Sequence, residues 1–297
     1  MSLPFAGEAF ALAAAICWAI GPLLAYRGVD VLGTFRFAQF RYCVSAIMLF
    51  VLAASFGSVN LSEARSVVFL VLSGIVGVAF GEAVLFQAVY LLGPRIASII
   101  FSLHAPITAF LGAAIFGETI SLLSFIGIIL AVGGVYAAII FRSSSEKIGG
   151  EWFKSGKFLQ GVLLATSAVI FQVIGALLAK EVMPGLDPLF ASFVRTASAA
   201  VAFLPVYLLL SERDRIVRIA NLRFVLYSAV VSTVGGMTFL LAAFAHTEIF
   251  RAVVIASLSP VLYISIMGFA RGEQFPLGAW IGTVVAVCGV ILAIANA

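Results

Sequence analysis

Long apolar runs separated by short polar ones fill this chain. An α-helix needs about 20 apolar residues to cross a bilayer, and runs of that length recur from one end of the sequence to the other. They predict ten spans, at roughly 8–26, 35–55, 67–91, 95–116, 121–141, 158–180, 188–210, 223–245, 249–270 and 276–296. A barrel strand would need only about 10 alternating residues, so the pattern predicts an all-α polytopic membrane protein. Most links are very short, which makes sequential helices antiparallel neighbours. The longest polar link runs from Arg142 to Lys157 and divides the chain into 1–141 and 158–297, with 142–157 between them.

The two parts repeat each other. Ile20-Gly21 matches Ile174-Gly175, Arg41 matches Arg195, Gly81 matches Gly235 and Pro106 matches Pro260, all 154 residues apart. One inserted residue later, Gly117-Glu118 matches Gly272-Glu273 at a spacing of 155. Each part holds five spans, an odd number, so the second enters the membrane from the opposite side. An inverted repeat of this kind is the architecture of many secondary transporters, whose substrate sites lie near the bilayer midplane.

Composition agrees. Charged residues make up 10% of the chain and hydrophobic ones 63%, against about 25% charged for a soluble domain. Mean hydropathy is +1.21. The net charge of +4 is scattered over links rather than gathered on one face, so it is no nucleic-acid footprint. Cys17, Cys43 and Cys288 fall inside apolar runs, where a buried thiol behaves as a small hydrophobe, and no disulfide is expected. Met1 to Gly7 lacks Lys and Arg, so the first run reads as a retained helix rather than a signal peptide. Links one, three, five, seven and nine hold 12 of the 15 Lys and Arg outside the spans; the other side holds Arg65, Lys180 and Arg251. The positive-inside rule then puts both termini outside, in a plasma (inner) membrane.

The Pro106…Gly117-Glu118 and Pro260…Gly272-Glu273 pairs, the small-residue helices that follow them, and Arg41 and Arg195 carry a family resemblance. The chain resembles the drug/metabolite transporter superfamily, specifically its EamA-type ten-helix members, over essentially its whole length. The resemblance implies secondary transport of small organic solutes, often export of amino acids or related metabolites. The inverted repeat itself predicts alternating access around a central cavity walled mainly by spans one, three, four, six, eight and nine, with the two halves rocking.

Polar residues inside the spans are the candidates for chemistry. Glu82 lies near the centre of span three, where a charge costs at least about 2.5 kcal/mol on insertion scales. It is either a proton carrier or one half of an ion pair with Arg41 or Arg195. His104, two residues before Pro106, suits proton coupling or a polar substrate, or is simply a satisfied buried group. Arg41 and Arg195 sit a third of the way into their spans and either grip a substrate carboxylate or pin a helix. Trp18 and Gln172 are repeat mates that face a cavity or pack; Gln39, Gln87, Ser257, Ser259 and Tyr263 read as further interhelical or ligand contacts. His246 falls at a span end and reads as interfacial.

Pro106 and Pro260 fall inside spans four and nine, where they free a carbonyl four residues back, Ser102 and Ala256. They act as kinks or as hinges. Glu118 and Glu273 precede spans five and ten and are expected to complement the dipoles of those helices. Gly74, Gly77 and Gly81 and the Gly133-Gly134 and Gly289 stripes are expected to let helices pack closely. No phosphate-cradling loop, H-E-x-x-H or G-x-S-x-G occurs, and two histidines make no metal cluster, so neither ATP-driven transport nor an enzyme is expected, and no cofactor. The expected partners are the lipid bilayer, a small organic solute and protons. The alternatives are broad efflux of amphipathic cations and a non-transporting membrane scaffold; homodimerisation stays open.

Overall fold

A computed structural model describes residues 5–57, 64–141, 156–210, 222–271 and 275–295, which are helical nearly throughout. Ten of the described helices are long and apolar enough to cross a membrane, from Ala6–Leu32 to Leu277–Ala295. The first two spans are α1 (Ala6–Leu32) and α2 (Thr34–Phe56). Both are longer than the apolar runs that announced them, because a single residue joins them. Gly33 takes φ 79°, which a side chain would resist, and its N–H closes α1 on the Val29 carbonyl. Arg27 thus lies within α1, and Arg36 is buried in the first turn of α2 rather than in a link. Gly93 (φ 77°) makes the corresponding bend between spans three and four.

Span three is not a plain α-helix. It consists of α3 (Ala64–Ser73), a π-helical segment (Gly74–Phe80) and the start of α4 (Gly81–Phe101). Span eight repeats the device: α9 (Leu222–Ser228), a second π-helical segment (Ala229–Gly235) and α10 (Gly236–His246). The exits are alike in detail. The Gly81 N–H reaches the carbonyls of Val76 and Val78, and the Gly236 N–H those of Val231 and Thr233. A segment wound this widely disturbs the regular ladder and is frequently found at functional sites.

Spans four and nine are broken helices. α4 ends at Phe101 and α5 (His104–Phe116) starts after a two-residue turn; α11 (Ile249–Ala256) and α12 (Ser259–Arg271) are divided in the same way by Ser257 and Leu258. Pro106 and Pro260 therefore sit in the first turn of a new helix, where a missing N–H is harmless, instead of kinking a continuous one. The Ser102 carbonyl that proline was expected to free accepts the Ala105 N–H at 3.4 Å. The remaining spans are α6 (Leu122–Phe141), α7 (Gly156–Val182), α8 (Pro188–Leu210) and α13 (Leu277–Ala295).

The chain packs as two compact units, residues 1–83 with 174–247 and residues 84–173 with 248–297. The sequence repeats are not the packing units: each unit takes elements from both. In the first unit, α2 lies along α8 and α1 along α10. Phe203 is fully buried with its ring edge-on to Tyr42 at 5.5 Å. Gly175 of α7 rests on Gly77, and Ser73 Oγ donates to the Gly175 carbonyl at 2.5 Å.

In the second unit α6 and α13 form the tightest pair. Gly127 and Gly134 meet the backbone of Ala293 and Ala286; in return Gly282 and Gly289 meet Ala138 and Ala131. Lipid gives no hydrophobic drive to join two helices, so such backbone approach, open only to small residues, supplies the dispersion contact that holds them. Gly133 does not share in this: a Cβ there would meet nothing within 4 Å.

Candidate functional site

The sequence set two arginines at matching places, and both belong to the first packing unit. They are not in matching states. Arg41 on α2 donates from Nη2 to Glu82 Oε2 at 2.7 Å, and its Cζ lies 5.3 Å from the Tyr42 ring centroid. Glu82 is the second residue of α4, immediately after the first π segment. The side chains are 14% and 32% exposed, so this is a largely buried ion pair. Of the two partners open to Glu82 on sequence grounds, the fold selects Arg41.

Arg195 on α8 is 1% exposed. Its Nη1 contacts the thioether sulfur of Met237 at 3.4 Å, and its Nε has no partner among the described residues. Its own carbonyl accepts Ser198 Oγ, and Gly74 of the first π segment comes directly against that carbonyl. Position 236 is the repeat mate of Glu82. It holds glycine, and a Cβ there would stand 2.5 Å from Trp18 Nε1. The Trp18 indole donates to the Ser232 carbonyl at 3.1 Å, meeting a carbonyl of the second π segment. Trp18 is thus half-buried against the place where the second repeat lacks its carboxylate. Gln39 donates to the Ala200 carbonyl at 3.1 Å and serves the α2–α8 contact.

The second unit holds the other candidates. His104 opens α5, with its Nδ1 2.8 Å from the Phe101 carbonyl and its ring 4.7 Å from that of Phe101. Ser257 Oγ donates to the Val254 carbonyl at 2.7 Å, and Ser102 Oγ to the Ile99 carbonyl at 2.8 Å. At both breaks, side chains thus take up carbonyls that the preceding helix end leaves open. Ser259 and Tyr263 lie half-buried on α12, and Gln172 and Gln87 half-buried on α7 and α4. His246 ends α10 and is exposed.

Two expectations change. Glu118 does serve a helix N-terminus, but that of α11: its carboxylate accepts the N–H groups of Ile249 at 2.7 Å and Phe250 at 3.4 Å. The start of α6 is capped by Ser121 Oγ instead. Adjacency in sequence pointed to the wrong helix, because the four free N–H groups of α11 lie nearer in the fold. Gly272 and Glu273 lie outside the described residues. Cys43 and Cys288 are exposed on helix faces rather than buried, and all three cysteines are free.

Sequence reasoning missed both π segments, the hydroxyls of Ser192 and Thr196 on α8, orphaned among the described residues, and Tyr42, buried next to the Arg41–Glu82 pair. Tyr42 and Thr196 are repeat mates, each one residue after an arginine, and that coincidence was the available signal.

Ten helices long and apolar enough to cross a membrane, in two repeats, fit a multi-pass membrane transporter of the drug/metabolite superfamily. The EamA-like transporter family matches residues 5–140 and again 159–295, and the chain belongs to that family. Among solved structures, one titled only as the crystal structure of a protein superposes with a TM-score of 0.80. It is 14% identical and covers 97% of each chain, a likeness of fold alone. No curated protein matches this chain.

Proposed function

We propose that the protein is a proton-coupled secondary transporter that exports small organic solutes, such as amino acids or related metabolites, by alternating access. The observation that carries this reading is the 2.7 Å ion pair between Arg41 and Glu82 at the exit of a π segment. A buried carboxylate held by a guanidinium can exchange that partner for a proton. The exchange removes the bond between α2 and α4 and gives the two helices two discrete arrangements, which a transport cycle requires. The π segment just before Glu82 supplies a backbone able to change its winding without breaking. Efflux of amphipathic cations calls for an uncommitted carboxylate, and Glu82 is committed to Arg41. The orientation follows the charge of the links, with both termini outside the plasma membrane.

The test is counterflow and gradient-driven uptake in proteoliposomes across amino acids, nucleosides and cationic dyes. Glu82→Gln is expected to retain counterflow but to lose its response to an imposed pH gradient. Unchanged gradient-driven transport by Glu82→Gln would remove the proton-carrier role.

A further inference from the structure

The second repeat keeps a cation at Arg195 without an anion for it among the described residues, and we propose that the missing anion is the carboxylate of the transported solute. This rests on the transport reading above and names the chemical class of the solute. The guanidinium is fully buried, meets among the described residues only the weak sulfur acceptor of Met237, and leaves its Nε, like that of Arg41, without a partner there. One turn of α8 adds two more open groups: the hydroxyls of Ser192 and Thr196 are buried without hydrogen-bond partners among the described residues. Ser192 precedes Arg195 by three residues, a spacing at which side chains are neighbours on a helix, and Thr196 follows Arg195 in sequence. A guanidinium fork matches the two oxygens of a carboxylate. A single uncompensated charge at membrane depth calls for a single carboxylate group to face it.

The repeat shows what is missing. At the matching place Arg41 has Glu82, whereas position 236 is glycine and its side-chain space is closed by Trp18. A carboxylate side chain has no room at position 236, and among the described residues no other carboxylate meets Arg195. Met237 acts as the place-holder. Its unbranched thioether holds Arg195 while no solute is bound and is flexible enough to give way when one arrives.

The experiment uses the full-length protein in proteoliposomes, with counterflow of L-alanine, L-leucine, L-phenylalanine and L-glutamine and the carboxamide of each as competitor. The amides are expected to compete at least about tenfold more weakly than the free acids, since a site built for a polar group rejects its isosteric absence. Met237→Glu, which offers Arg195 a carboxylate of its own, is expected to lose at least about tenfold in counterflow while melting no lower than wild type. Equal competition by acid and amide overturns the proposal, as does wild-type counterflow by a folded Met237→Glu. If Met237→Glu fails to fold, the acid–amide comparison on wild type decides. Movement of uridine or ethidium without any of the amino acids overturns the carboxylate anchor and leaves the transport reading standing. Movement of none of these solutes removes the transport reading and this proposal together.

Discussion

The two arginines stand in one duplicated frame and teach by their difference. Around Arg41 the chain supplies a carboxylate, Glu82 at 2.7 Å. Around Arg195 it supplies a sulfur at 3.4 Å and an indole ring over the position where a carboxylate would be rooted. The π segments before positions 82 and 236 have the same exit hydrogen bonds, so the backbone has not diverged. Only the side chains have. Burying a lone charge at this depth is costly. The proposed solute carboxylate would account for an arginine kept without an internal partner.

The comparison breaks most sharply at Glu82. Glu82→Leu leaves Arg41 buried without its partner and is expected to lower stability by about 3 kcal/mol, since removal of one member of a buried pair strands the other. Arg41→Met combined with Glu82→Leu is expected to recover all but about 1 kcal/mol, because replacing a whole buried pair by apolar groups is close to neutral. Unfolding in mixed micelles followed by tryptophan fluorescence measures both. A double variant as unstable as the single one would show that Arg41 and Glu82 are not a coupled unit.

Position 236 sharpens it next. Gly236→Ala drives a Cβ to 2.5 Å from Trp18 Nε1 and threatens the indole bond to Ser232. Overpacking of this kind costs roughly 2 kcal/mol. Gly133→Ala, whose Cβ meets nothing within 4 Å, is the control and is expected to be neutral. Thermal unfolding of the two variants side by side separates a closed position from an open one, and equal melting temperatures would show that Trp18 yields without loss.

Much of this frame was legible in the sequence, for reasons of scale. Spans follow from 20-residue hydropathy, and the repeat follows from self-match over 154 residues; neither depends on which atoms touch. Arg41, Arg195 and Glu82 stood out because charge is expensive at that depth. Where legibility failed, the deciding interaction was tertiary. Glu118 precedes α6 yet caps α11, a choice made by which N–H groups lie within 3 Å in the fold. The prolines looked like interior kinks because the apolar runs around them are unbroken; only the backbone shows helices ending at Phe101 and Ala256. The π segments leave no mark on hydropathy at all. Glycines at 74, 77 and 81 suggested close packing, which is present at Gly74 and Gly77, but not the altered winding that accompanies it.

The smallest expected effect is the most diagnostic. Arg195→Met replaces a buried guanidinium, held by one sulfur contact, with an unbranched apolar side chain. A paired arginine so replaced would leave a stranded carboxylate, but none meets Arg195 among the described residues. The change removes an uncompensated charge and opens a cavity, two effects of opposite sign. The net shift in stability is expected to lie within about 1 kcal/mol of zero, on the stabilising side. The equivalent Arg41→Met strands Glu82 and is expected to be clearly destabilising, so the two repeat mates should respond with opposite sign. Differential scanning of both variants in one detergent reads this directly. A loss of stability in Arg195→Met as large as that in Arg41→Met would mean that Arg195 is held in place by the fold, and the asymmetry between the two repeats would then be one of partners rather than of purpose.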